Sequence, residues 1–440
     1  MNQNSTVKRS WLDRFFKLSE YQTNVKTEFI AGLTTFMTMA YIIVVQPDLM
    51  KAAGMPFAAV MVTTILISGI FSIVMGLYAN RPFAVAPGMG GNAFFAFSIV
   101  ASGMATWQQG LGMIFITGVL FLILTMLGLR ELIAKSLPLS IKNAIGGAVG
   151  IFIASLGLKN AGLIVPTKTG QLALGSFHNA ETLLAVIGLV ITIVLMVKKV
   201  RGAVLYGIIL ATIIGIPMGV TTLPDQIFSM PANPMPVIGQ VDWLGALKLS
   251  FIPLIFTFFV GEFFSTLGTV LGVGAKAGLL DKDGNLPQMN RPFVLDAVAT
   301  IGGSLAGLTT VTTYIESASG VESGGRTGLT AISTGLIFLL TLAVTPLILM
   351  IPSAAVAPGL ILIGLTMLST LATLDFDNLE NFIPSVLTIA ITAFTFSIAN
   401  GIVFGILSYL LIKVLTGKAK TVPIGMYIFA IPLIYYLWLK

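Results

Sequence analysis

Hydrophobic runs of about 17–25 residues recur along almost the whole of this chain, and each is long enough to cross a hydrocarbon core as a helix. Backbone in that setting must satisfy its own hydrogen bonds, which restricts the fold to packed helices wherever the runs are continuous rather than alternating. With 56% hydrophobic and 9% charged residues, the composition lies far from the roughly 25% charge of soluble domains. The reading is an all-α polytopic membrane protein. The opening residues lack the short apolar core and small-residue cleavage site of a signal peptide, so the first span is expected to serve as its own targeting signal.

Spans are expected near 28–46, 57–78, 83–101, 108–128, 139–160, 180–198 and 202–220. A second set is expected near 246–273, 289–308, 309–325, 328–347, 353–372, 380–397 and 399–416. The organisation follows as a basic segment 1–27, a first seven-span unit 28–220, a second 246–416, and an apolar segment 422–439 that suits either a further span or an interfacial helix. With the N-terminus in the cytoplasm, only Lys51, Lys159, Lys168 and Lys248 of the 24 Lys and Arg fall outside. That asymmetry accounts for the net charge of +7 without nucleic acid.

The two sets look related. Residues 117–122 (TGVLFL) match 334–339 (TGLIFL), and Glu28-Phe-x-x-x-Leu-x-Thr35 matches Glu262-Phe-x-x-x-Leu-x-Thr269. Overlaying the third and tenth spans places Asn92 opposite Glu316. An odd number of spans inverts the second copy, which gives a seven-plus-seven inverted repeat of about fourteen segments. In such transporters, broken segments at corresponding positions point to the binding site.

Both of those spans read as broken. The third contains PFAVAPGMGGNAFF, in which Pro82 and Pro87 cannot donate backbone hydrogen bonds and Gly88, Gly90 and Gly91 let a ligand approach the backbone. A glycine packing face is the plainer alternative. The tenth contains TTVTTYIE, a short extended stretch by β-propensity. The two stretches are expected to pair across the repeat axis, each leading into a half-helix whose positive end faces the membrane centre.

Two glutamates lie at membrane depth, where a carboxylate is costly and marks a substrate or proton path. Glu316 opens the tenth span's half-helix, and its competing role is a structural pair with Arg326. Glu262 lies in the apolar run 251–273, with Ser265, Thr266 and Thr269 expected on its face at helical spacing. Asp296 is either a third titrating group or, in the favoured reading, a packing hydrogen bond. Glu28, Glu322 and the acidic cluster 375–380 read as interfacial.

Acceptor-only carboxylates beside an amide suit a flat neutral ligand with adjacent N–H donors, such as a nucleobase, and also suit a cation. Two carboxylates in one cavity resist being ionised together, so a proton follows naturally as the coupling ion. Sodium, held by carbonyls and hydroxyls, is the alternative. With no cysteine and a single loop histidine, His178, an enzyme is not expected.

These motifs resemble the nucleobase–cation symporter-2 family in its AzgA-like purine permease branch. The likeness rests on 28–47 (EFIAGLTTFMTMAYIIVVQP), 86–97 (APGMGGNAFFAF), 272–287 (GVGAKAGLLDKDGNLP) and above all 314–332 (YIESASGVESGGRTGLTAI). It implies core and gate domains, import of purine bases with protons at the plasma membrane, and homodimers among relatives. It places Glu262 and Glu316 on the acidic positions that hold the base, Asn92 on the third-span amide, and Tyr314 as a lining residue. Ser265, Thr266 and Gly88 complete the expected substrate site, with Glu316 and Glu262 also carrying the proton and no cofactor involved. The chain departs from the branch in having Glu262 for an aspartate, Ser265 for a second acid and Gly91 where leucine is common. Guanine and hypoxanthine are the first expectation. The alternatives are an adenine-preferring permease of the same fold, and an ion channel or facilitated anion pathway.

Overall fold

The computed structural model describes residues 10–128, 138–167, 172–281, 286–373, 377–395 and 397–438. The start of the basic lead-in, Lys168 and Asp375 lie outside them. Helix α1 (Trp11–Phe16) precedes α2 (Val25–Met39), α3 (Ile42–Lys51) and α4 (Phe57–Ala79). Strand β1 (Val85–Pro87) leads into α5 (Met89–Ala93), which continues as a π-helix over Phe94–Val100. Next come α6 (Trp107–Met126), α7 (Leu139–Asn160), a small hairpin of β2 (Ile164–Pro166) and β3 (Leu172–Leu174), α8 (Ala180–Val197) and α9 (Ala203–Gly215). A short α10 (Trp243–Ala246) opens the second half, followed by α11 (Ile252–Lys276), α12 (Asn290–Leu305), β4 (Val311–Thr313), α13 (Ser317–Glu322) and α14 (Gly328–Leu340). The chain ends with α15 (Thr345–Leu349), α16 (Ser353–Met367), α17 (Leu379–Thr395), α18 (Ile398–Leu415) and α19 (Ile424–Trp438). Among the described residues, eight helical spans are long and apolar enough to cross a membrane, joined by shorter apolar helices such as Met89–Val100 and Ser353–Met367.

The helices sort into two bodies. In one, α4 packs on α14, α6 on α12 and α11, and α2 on α14 and α13, with β1 and β4 between them. In the other, α7 packs on α16 and α17, α8 on α9 and α16, and α17 on α18. Small residues permit these approaches, as is usual where lipid offers no hydrophobic drive to pack. A Cβ on Gly76 would strike the carbonyl of Gly328, and one on Gly328 the carbonyl of Gly76.

The halves reciprocate contact for contact. Thr117 Oγ1 on α6 donates to Ile255 O on α11 at 3.3 Å, and Thr334 Oγ1 on α14 donates to Gly32 O on α2 at 3.0 Å. Gly118 abuts Ile301 on α12, while Gly335 abuts Ile73 on α4. Phe121 meets Phe259, and Phe338 meets Phe36. The matched Thr-Gly motifs therefore occupy equivalent places.

The second sequence match does not align. Since Gly32 and Ile255 are counterparts, Glu28 and Glu262 are not. Glu28 was expected on a solvated face, yet it is fully buried. Its carboxylate accepts from Arg326 N at 2.9 Å, Thr327 N at 3.3 Å, Thr330 N at 3.1 Å and Thr330 Oγ1 at 2.5 Å. It caps the N-terminus of α14 from a neighbouring helix, where orphan N–H groups and the helix dipole both favour an anion. Glu322 does lie at the surface, in an exposed ion pair with Lys276.

Replacing Glu28 by alanine leaves those buried donors without an acceptor. The expected result is a loss of roughly 2–4 kcal/mol in stability, read as a lower melting temperature of the detergent-solubilised protein, with Glu28→Gln intermediate.

Candidate functional site

The site is organised by two extended segments of three residues. Strands β1 and β4 pair antiparallel, with Val85 opposite Thr313, Ala86 opposite Thr312 and Pro87 opposite Val311. The expected pairing across the repeats is therefore present. Gly88 N to Thr310 O (2.8 Å) and Tyr314 N to Ala84 O (2.9 Å) extend the ladder at both ends. The outer edges are closed by side chains: Ser72 Oγ accepts from Val85 N at 2.9 Å, and Ser317 Oγ accepts from Ala84 N at 3.0 Å. Thr300 Oγ1 accepts from Val311 N at 3.1 Å. Non-helical backbone at membrane depth survives only when satisfied in this way.

Asp296, on α12, anchors β4. It accepts from Thr313 N (2.8 Å), Thr313 Oγ1 (2.9 Å), Thr266 Oγ1 (2.8 Å) and Thr312 Oγ1 (3.3 Å) and is fully buried. Its contacts describe a packing role that ties α12 both to β4 and, through Thr266, to helix α11.

Glu316 is the N-cap residue of α13. Its carboxylate accepts from the Tyr41 hydroxyl at 2.5 Å, and Thr38 Oγ1 reaches its carbonyl at 3.4 Å. Arg326 is not its partner, because that guanidinium bonds the carbonyls of Val321 and Gly325, each at 2.7 Å. Tyr41 escaped the sequence reading. It lies at the break between α2 and α3, inside what looked like one continuous span, and Pro47 downstream in α3 was the available hint of irregularity.

Glu262 projects from α11 and is buried. Thr300 Oγ1 lies 3.4 Å from its Oε1, and Thr310 approaches it without a formed hydrogen bond. Thr266 and Thr269 share its buried side, but Ser265 is exposed. The expected four-residue polar stripe therefore loses Ser265, because a hundred-degree step per residue carries i+3 far enough round to face outward when the contact surface is narrow. Thr266 does not face a ligand space freely either, since it bonds Asp296 and Thr312.

Asn92 is fully buried and does not stand opposite Glu316. The strand ladder is twofold-symmetric, Gly88 N to Thr310 O being answered by Tyr314 N to Ala84 O, so Gly88 corresponds to Tyr314 and Gly90 to Glu316. Asn92 Oδ1 instead accepts from the Thr309 hydroxyl, which in turn accepts from Gln46 Nε2 at 3.4 Å. Asn92 Nδ2 and Gln46 Oε1 are buried polar atoms with no partner in the structure. Tyr314 was expected to line the site. Its hydroxyl donates to Pro87 O at 2.6 Å, so it braces β1 from the opposite strand.

The structure thus gathers Glu262, Glu316, Asn92 and Gly88 around one strand pair, adds Tyr41, Thr310 and Gln46, and leaves Ser265 on an exposed face of α11. Neither Glu262 nor Glu316 enters an ion pair among the described residues. Their unfilled acceptor positions can take ligand N–H donors or a proton.

Comparison with known proteins matches residues 26–408 to the Permease family model for xanthine/uracil-type permeases. A putative permease of Methanocaldococcus jannaschii is 43% identical, covering 96% of this chain and 97% of that protein. The adenine permease AdeQ of Escherichia coli is 42% identical, covering 92% of this chain and 91% of that one. The guanine/hypoxanthine permease PbuG of Bacillus subtilis is 37% identical over 97% of this chain and 99% of its own. Among solved structures, the transmembrane domain of the cyanobacterial bicarbonate transporter BicA matches with a TM-score of 0.62 at 17% identity, covering 86% of this chain and 97% of that one. The inward-facing murine anion transporter Slc26a9 matches with a TM-score of 0.65 at 13% identity, covering 94% and 74%. At those identities the likeness concerns the fold alone: a mostly helical, seven-plus-seven inverted-repeat transporter.

Asp296→Ala removes the acceptor for four donors around β4. It is expected to cost more than 3 kcal/mol, seen as a larger drop in melting temperature than Thr266→Ala produces.

Proposed function

The chain belongs to the Permease family, and from that premise we propose that it imports purine nucleobases, guanine and hypoxanthine first, by proton symport across the plasma membrane with its N-terminus in the cytoplasm. The observation that carries this reading is the pair of carboxylates, Glu262 and Glu316, set about the β1–β4 pair with hydroxyls rather than cations as their neighbours. A buried carboxylate without a cation has two good partners, a proton and a ligand N–H.

The roles divide by position. Glu262 has acceptor capacity beyond its two threonine contacts and receives the ring N–H and exocyclic amino group of guanine as parallel donors. Glu316 stands at the start of α13 and is already tied to Tyr41, so a proton arriving there competes with the tyrosine hydroxyl and loosens the α2–α3 break. Asn92 Nδ2 and Gln46 Oε1 offer one donor and one acceptor for orienting the base.

Glu262, Glu316 and Tyr41 lie on or beside elements of the first helical body, and α3 and α5, which carry Gln46 and Asn92, pack on α4 and α11 of it. The bound base can therefore be carried past the α7, α16, α17 and α18 surface by a rigid movement that leaves the site intact, as alternating access requires.

Adenine is the second reading, favoured by the names of relatives at 42% and 41% identity, both adenine permeases of Escherichia coli. Adenine presents an amino donor beside a ring acceptor, and a protonated Glu262 would match both. An anion pathway gains nothing from the fold likeness, since the acids about the strand pair have hydroxyl and backbone partners rather than basic ones and repel an anion.

The test is uptake by proteoliposomes. Guanine and hypoxanthine are expected to accumulate under an inside-alkaline gradient, and a protonophore should abolish the accumulation while a sodium gradient alone drives none. Sodium-driven uptake that ignores the protonophore would overturn the coupling. Glu262→Gln replaces an acceptor edge with a donor and is expected to lower guanine affinity at least a hundredfold, since a matched donor becomes a clash of donors. Thermal-shift binding with guanine, hypoxanthine, adenine, xanthine and uracil measures it, and unchanged guanine binding would displace Glu262 from the site.

A further inference from the structure

We propose that Asp48 is a latch that holds the two helical bodies together at the end of the molecule facing away from the cytoplasm, a role in transport that rests on the permease reading and orientation above. Asp48 lies near the end of α3, which packs on α4 in the first body, and it is largely buried. Its carboxylate reaches across to the second body. Ser353 Oγ, at the first residue of α16, donates to Asp48 Oδ1 at 2.7 Å. Asn160 Nδ2, at the last residue of α7, donates to Asp48 Oδ2 at 3.4 Å.

The start of α16 has no side-chain cap of its own, because its N-cap residue is Pro352. An anion supplied by another element is favoured at such a place, where orphan N–H groups and the helix dipole both present positive charge. Glu28 does the same for α14, but within the first body. Asp48 differs in that the helix it meets belongs to the other body. Hydrogen bonds to a charged group are stronger than neutral ones, so this contact favours the closed arrangement, and alternating access must release it once in each cycle.

Apolar contacts continue the same seam toward the strand pair. Phe97, on the π-helix that follows α5, meets Phe152 on α7 with ring centroids 6.2 Å apart. Deeper still, a Cβ on Gly90 of α5 would lie 3.1 Å from Val149 of α7. Phe152 and Val149 are both buried. Val149, Phe152 and Asn160 follow one another along α7, so Asp48 stands at the outer end of the seam. The latch also shares a short helix with the site. Tyr41, which bonds Glu316, immediately precedes α3, and Gln46, which bonds Thr309, lies on it. Tyr41 and Asp48 are about 10 Å apart along the helix axis.

The chain contains no cysteine, so a single introduced thiol reports opening of the seam. The experiment labels Val149→Cys with a membrane-impermeant maleimide added outside intact cells, without purine. With Asp48 in place, labelling is expected to be slow. Asp48→Ala should speed it about tenfold, the scale of one hydrogen bond to a charged group. Ser353→Ala removes the nearer donor and should give a rise of similar size, and the two together should give less than the product of the single effects. Asp48→Asn keeps an acceptor for Ser353 and should fall between Asp48 and Asp48→Ala. Ala299→Cys, buried on α12 within the first body, should stay unreactive in every background, which separates opening of the seam from loss of the fold. If Asp48→Ala does not fold, Ser353→Ala reads the same bond from the other body. Folded Asp48→Ala and Ser353→Ala proteins in which Val149→Cys labels at the original rate overturn the proposal, as does equal acceleration at Ala299→Cys. A protein that labels as expected yet binds no purine keeps the latch and overturns the permease reading alone.

Discussion

Six residues of extended backbone, three from each half of the chain, have no hydrogen-bond partner within their own span and no water to turn to. Each segment is satisfied by the other: β1 pairs with β4, and the ladder runs on through Gly88 to Thr310 and Tyr314 to Ala84. At a cost of several kcal/mol for each unpaired group in lipid, neither half could hold its broken span alone. The remaining parts of the first body serve this pair. Asp296 and Ser317 close edges of the strands, Ser72 closes another, and Tyr314 ties its hydroxyl across to Pro87. Because the pairing is antiparallel, the two half-helices start from opposite ends of it, and the surrounding helices supply the side chains.

The chemistry lies where the two halves stop matching. The frame is symmetric down to the reciprocal threonine bonds of α6 and α14. On that frame Gly90 stands where the other half has Glu316. The first membrane helix is broken into α2 and α3, so that Tyr41 meets Glu316, whereas α11 runs on through its equivalent region without a break. Counting from the paired Gly32 and Ile255, the position of Glu262 corresponds to Met39, an apolar buried residue. A symmetric scaffold thus carries one acid on each of two non-equivalent elements, and the proposed division between ligand and proton rests on that difference.

Parts of this were legible in the residues. Apolar runs announced the helices, because membrane burial leaves a continuous compositional signal. PFAVAPGMGG and TTVTTYIE announced the broken spans, because proline, glycine and β-branched residues have local backbone preferences that need no tertiary context. Glu262 and Glu316 stood out because charge is expensive at that depth. What misled was alignment by composition. Glu28 and Glu262 share a motif but not a place, and Asn92 looked like the counterpart of Glu316 until the strand register placed Gly90 there. Ser265 had the right spacing and the wrong side of α11. Tyr41 and Gln46 gave no signal, since a tyrosine or glutamine in a long apolar run carries no hint of its partner.

The sequence by itself determined that this chain lives in a bilayer, that it is built as two related halves, that both halves break at one span, and that two acids lie at depth. Each of those follows from composition or local backbone preference. Only the tertiary structure decided who answers whom: Tyr41 to Glu316, Thr300 to Glu262, Thr309 to Asn92, and Glu28 to the start of α14. Those partners are separated by tens to hundreds of residues, and a hydrogen bond depends on ångström-scale placement that packing sets and local sequence does not encode.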